Sequence, residues 1–84
     1  MNTADQSSEA AGVDPSIHDL LNEATEWLQY SRGVTATLSD FVHEADVVDC
    51  KQMSMSLDAV AAMTQAALHL VNEAHVRWHV AQLP

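Results

Sequence analysis

From Ile17 onward, the chain repeats a row at alternating steps of four and three: Ile17, Leu21, Ala24, Leu28, Ser31, Thr35, Leu38 and Val42. That spacing lays one apolar stripe along an α-helix, with two small polar residues keeping its phase in the middle. Leu20, Trp27, Val34 and Phe41 widen the stripe on one side. Asp14-Pro15-Ser16 marks its start. Asp14 can accept from the free amides of a first turn, and Pro15 loses nothing there by lacking an N–H. Asp19 and Glu23 place negative charge in the early turns, where the helix dipole favours it. Gly33 costs about 1 kcal/mol relative to Ala inside a helix, yet the phase persists across it. The pattern predicts one helix over 15–43, with a gentle bend or the close approach of another helix as the reason for the glycine.

A second row follows: Cys50, Met53, Leu57, Val60, Thr64, Ala67, Val71, Ala74 and Trp78. It predicts a helix over 48–81, capped by Asp46 or Asp49, after a short turn at 44–47. A short turn makes the two helices antiparallel. The rows then mate along their length: Val42 with Cys50, Leu38 with Met53, Thr35 with Leu57, Ser31 with Val60, Leu28 with Thr64, Ala24 with Ala67 and Leu21 with Val71. The expected fold is all-α, an antiparallel two-helix hairpin. Nothing in the chain reads as a strand, for there is no alternating run and no Asn-Gly or Asp-Gly turn.

The second helix carries more apolar surface than one neighbour covers. Val60, Met63, Ala67, Leu70 and Ala74 form a stripe beside the first, and Asp58 is the one formally charged residue between Lys51 and Glu73. A helix apolar nearly all round is buried on several sides or crosses a membrane. Gln52, Asp58, Thr64, Gln65 and His69 interrupt it too often for a span of ~20 apolar residues. The expectation is a homodimer forming a four-helix bundle, with Leu57, Val60, Met63, Ala67, Leu70, Val71, Ala74 and Trp78 at the interface.

Composition narrows the partners. At 84 residues the chain makes one small domain, and 48% hydrophobic content is that of a folded protein. The formal net charge of −9, from 12 acids against 3 Lys+Arg, argues against nucleic acid and anionic membrane surfaces. It also opposes pairing of identical chains, so the acids should lie on outer faces. One cysteine excludes an internal disulfide. Residues 1–13 are polar, without the basic start and apolar run of an export signal, and read as a disordered leader. A cytoplasmic location is expected.

Candidate chemistry is sparse. His75 and His79 are four apart, hence on one helical face, and the hairpin register sets His18 opposite His75 with Asp19 and Glu23 nearby. This is the alternative reading, a metal-binding bundle using His18, His75 and His79. The spacing lacks the Glu beside the first His that marks a metalloprotease helix, since Val76-Arg77-Trp78 fills the interval. Cys50 reads as a small buried hydrophobe; a nucleophilic role would need His43 across the turn and an oxyanion pocket that no motif supplies. Trp27 and Trp78 read as packing anchors, and Met53, Met55 and Met63 as core residues able to form an adaptable groove. Glu44, Asp46 and Asp49 fail as a calcium loop for want of twelve-residue ligand spacing and its central Gly. No phosphate loop or Ser/His/Asp set is present. No catalytic residue and no cofactor is implied. An acidic mimic of nucleic-acid charge would need a clustered acidic face, whereas these acids are spread along the chain.

Leu20-Leu21-Asn22-Glu23-Ala24-Thr25-Glu26-Trp27-Leu28, Leu38-Ser39-Asp40-Phe41 and the apolar run from Ala59 to Leu70-Val71-Asn72-Glu73-Ala74 resemble a family of short helical proteins of unknown function that occur in many copies in pseudomonads. The likeness covers about residues 17–75. Where those proteins often carry an Arg after Ser-Asp-Phe, this chain has Asp49-Cys50-Lys51. The resemblance implies a bacterial cytoplasmic helical hairpin and carries no catalytic residue with it. The expected function is non-enzymatic: self-association, and binding of a protein partner through the apolar second helix, as a regulator, adaptor or co-chaperone.

Overall fold

The computed structural model describes residues 15–84. The expected leader, and Asp14 as a cap, lie outside the described residues. Helix α1 spans Ile17–Glu44 and helix α2 spans Cys50–Ala81, and the two pack against each other as an antiparallel hairpin with no strand among the described residues. At 1.5 Å per residue they are roughly 40–50 Å long.

The start of α1 falls two residues beyond the expected position, and its cap is Ser16. The Ser16 hydroxyl accepts from the Asp19 N–H at 3.0 Å, and the Asp19 carboxylate accepts from the Ser16 N–H at 3.3 Å. This reciprocal box satisfies two amides at once, so Pro15 sits before the helix rather than in its first turn. The helix passes through Gly33 unbroken. A Cβ added there would meet nothing within 4 Å, so the expected close approach does not occur within this chain. Thr25, Thr35 and Thr37 donate their hydroxyls to the carbonyls of Leu21, Ser31 and Gly33 four residues back, which satisfies the hydroxyls within the helix.

The turn occupies 45–49. The Ala45 N–H donates to the Phe41 carbonyl, and Asp49 caps α2 by accepting from the Lys51 and Gln52 amides at 3.0 and 3.1 Å. At the open end Arg77 donates to the Pro15 carbonyl and to Glu73, both at 3.0 Å, tying the last turns of α2 to the entrance of α1.

Packing corrects the expected seam. Buried residues are Leu20, Ala24, Ser31, Ala67 and Ala74, and Ile17, Trp27, Leu38, Met53, Val60, Met63 and Leu70 are half-buried. The row Ile17, Ala24, Ser31, Leu38 faces the row Met53, Val60, Ala67, Ala74, as both stripes require. Between these, however, Leu20 and Trp27 point inward where Leu21 and Leu28 were expected, and Met63 and Leu70 where Thr64 and Val71 were. Each helix is rolled by about 50° from the expected seam, at 3.6 residues per turn. The alanine row lets the backbones approach, and the bulky Leu20, Trp27, Met63 and Leu70 then fill one side of the contact. At mid-length the Thr64 and Ser31 hydroxyls meet at 3.3 Å, one turn along from the Val60 expected there. Cys50 is exposed rather than buried, because the same roll turns its position outward.

Candidate functional site

With Ile17 and Met53 each taken as the first position, a, of a seven-residue repeat, the contact uses positions a and d on α2 and on the first half of α1, while Val34 and Phe41, at d nearer the turn, are exposed. The two sides of the hairpin are then lined by positions e and g. In an antiparallel pair e meets e and g meets g. The g side carries Glu23, Tyr30, Thr37 and Glu44 from α1, and Gln52, Ala59, Ala66, Glu73 and Val80 from α2. The e side carries Leu21, Leu28, Thr35 and Val42 from α1, and Leu57, Thr64, Val71 and Trp78 from α2. The g side holds Glu23, Glu44 and Glu73 among exposed Tyr30 and Val80, whereas the e side holds no formal charge and is mostly apolar, with Thr35 and Thr64 at its waist.

The six large side chains of the e side, Leu21, Leu28, Val42, Leu57, Val71 and Trp78, keep between 39% and 54% of their surface in water. Ile17, Leu21, Val71, Ala74, His75 and Trp78 line one shallow groove at its open end, which places both helices' rows on the same side. The two threonines at its waist do not interrupt it with unpaired donors. Thr35 donates to the Ser31 carbonyl at 2.7 Å, and Thr64 donates to the Val60 carbonyl at 2.9 Å, leaving its oxygen free to accept from the Ser31 hydroxyl at 3.3 Å.

Charge is sorted in the same sense. Asp19, Glu23, Glu26, Asp40 and Glu44, all the acids of α1, occupy positions c and g, away from the e side. The positions on and next to that side hold Arg32 on α1, Lys51 and Asp58 on α2, and otherwise neutral or histidine side chains. Glu73 points to the acidic side, where it accepts from Arg77 at 3.0 Å, with His69 at 4.0 Å.

The residues expected to form an interface therefore divide. Val60, Met63, Ala67, Leu70 and Ala74 turn toward α1, and Leu57, Val71 and Trp78 lie on the e side. Leu21, Leu28 and Val42 of α1 share that side and were assigned to the hairpin seam. The doubled apolar positions Leu20-Leu21 and Trp27-Leu28 were the signal in the sequence that α1, like α2, has two faces to bury.

His75 and His79 stand together, with Nε2 atoms 3.0 Å apart and ring centroids 4.6 Å apart. His79 also meets Trp78 edge-on at 5.7 Å. His18 is engaged elsewhere, 3.1 Å from the Asn22 side-chain nitrogen, and no group of three His, Cys, Asp or Glu side chains suited to a metal ion occurs among the described residues. His43 bonds the Ser39 carbonyl at 2.9 Å through Nδ1, and the Cys50 thiol is directed to the Val48 carbonyl at 3.9 Å. Trp27 is half-buried and packs edge-to-face on Tyr30 at 5.9 Å. No helix among the described residues is long and apolar enough to cross a membrane. Comparison with protein-family models, with curated proteins and with solved structures gives no match for this chain.

Proposed function

We propose that this chain works by association rather than by catalysis. It pairs with itself into a four-helix bundle, and its exposed apolar surface can cover an apolar helix of a protein partner, as a regulator, adaptor or co-chaperone does. One observation carries this reading. Among the described residues Leu20 is the one large side chain that is buried, while Leu21, Leu28, Val42, Leu57, Val71 and Trp78, all on the e side, are exposed. Contiguous apolar surface on that scale marks an interaction site in a small soluble domain. Sedimentation velocity over the micromolar range in moderate salt tests it. The expected result is a mass of two chains, tightened by added salt because screening relieves the repulsion between chains of net charge −9. A compact, folded single chain at every concentration would overturn self-association.

The metal-binding alternative rests on the His75–His79 pair, whose two nitrogens converge as a chelate would need. Calorimetric zinc titration of the protein and of a His75→Ala, His79→Ala variant separates the two readings. Submicromolar binding that vanishes in the variant would favour the metal.

A further inference from the structure

We infer that the e side of the hairpin is the docking surface for a second copy of this chain, with α1 and α2 contributing equally, and that the acidic g side stays outward. The inference rests on the self-association proposed above and names its surface. Three observations select a second copy as the occupant.

First, the area reaches the lower bound for a dimer. Six large apolar residues at about half exposure, five of them Leu or Val and so smaller than an aromatic of roughly 150–250 Å², present at most roughly 500 Å² per chain. Two chains then bring together at most about 1,000 Å², the least that a specific interface needs. Second, charge is placed as pairing of two acidic chains demands. A net charge of −9 on each copy repels the other, and every carboxylate of α1 is on positions c and g. Pairing through the g side would bring Glu23, Glu44 and Glu73 of both copies into one interface. Pairing through the e side sets Leu21, Leu28, Val71 and Trp78 there instead, with Arg32, Lys51 and Asp58 as the formal charges around them. A cationic partner helix would be drawn to the acidic side, since the e side offers it a single carboxylate. Third, the e side runs along both helices of an antiparallel pair, so it can be self-complementary about a twofold axis, as closed dimers require.

The test compares substitutions on the two sides at positions that are exposed in the single hairpin. Leu28→Glu and Val71→Glu are expected to raise the dimer dissociation constant by at least about thirtyfold, as central interface anchors do. Tyr30→Glu, on the opposite side and equally exposed, is expected to leave it within about threefold. A second measurement uses variants that keep the fold, so that loss of the dimer is separated from unfolding of the chain. In a Cys50→Ser background, Leu28→Cys and Tyr30→Cys are labelled with a maleimide at concentrations above and below the dissociation constant. Protection of Leu28→Cys that appears only at high concentration, with Tyr30→Cys labelled equally fast throughout, supports the inference. A dimer that survives both e-side variants, or protection at Tyr30→Cys instead, overturns this surface and leaves self-association standing. A wild-type chain that is single at all concentrations overturns both.

Discussion

Leu20 and Leu21 are neighbours in sequence with opposite fates, and truncating each in turn separates the hairpin contact from the surface outside it. Leu20 is 3% exposed and Leu21 44%. Leu→Ala at a buried site removes the transfer free energy and leaves a cavity, at a cost of about 2–5 kcal/mol. In a single layer of two helices the surroundings can relax into the space, so Leu20→Ala should cost about 2–3 kcal/mol, independent of concentration. Full burial of a leucine is worth about 1.5–3 kcal/mol, and Leu21 realises about half of this within its own hairpin. Leu21→Ala should therefore cost about 1 kcal/mol in dilute solution, and about twice that where chains pair. Urea unfolding followed by helical circular dichroism, run dilute and concentrated, reads both numbers. Equal losses for the two variants at every concentration would refute the argument, for they would mean that the hairpin packs on the row containing Leu21.

Three further outcomes follow from the local geometry. Gly33→Ala should raise stability by about 1 kcal/mol, seen as a higher urea midpoint, because the added methyl meets nothing and the helix loses its most flexible residue; a loss would show that another chain sits there. Asp49→Ala should cost about 1 kcal/mol by leaving the Lys51 and Gln52 amides uncapped, with Asp49→Asn recovering most of it in the same unfolding assay. Arg77→Met should cost about 1 kcal/mol, discounted for its partly exposed setting, and should speed amide hydrogen exchange in the first turn of α1 rather than near the turn at 45–49.

Much of the architecture is written locally and is legible without coordinates. Apolar spacing of three and four over 28 and 32 residues needs only the helical period to become α1 and α2. Asp49 was one of two caps the sequence offered, and the antiparallel order follows from the short turn. The shared row of Ile17, Ala24, Ser31 and Leu38 against Met53, Val60, Ala67 and Ala74 is common to the expected and the observed seams. Ser16 as the cap was less legible, because the reciprocal bond from Asp19 that marks it exists only once the first turn has formed.

The side on which each helix completes its contact belonged to tertiary structure alone. Leu20 and Leu21, Trp27 and Leu28, Met63 and Thr64, and Leu70 and Val71 are adjacent pairs, in most of which both members are apolar. Periodicity that accepts three steps as readily as four cannot rank the members of such a pair. They differ by about 100° around the helix, and only the packing of a second helix against the alanine row distinguishes them. That roll, which no single helix encodes, turned Leu21, Leu28, Leu57, Val71 and Trp78 out to the solvent and swept the acids of α1 to the far side. The apolar flank is therefore a property of two helices docked together, readable in the sequence only as an apolar stripe wider than one partner can cover.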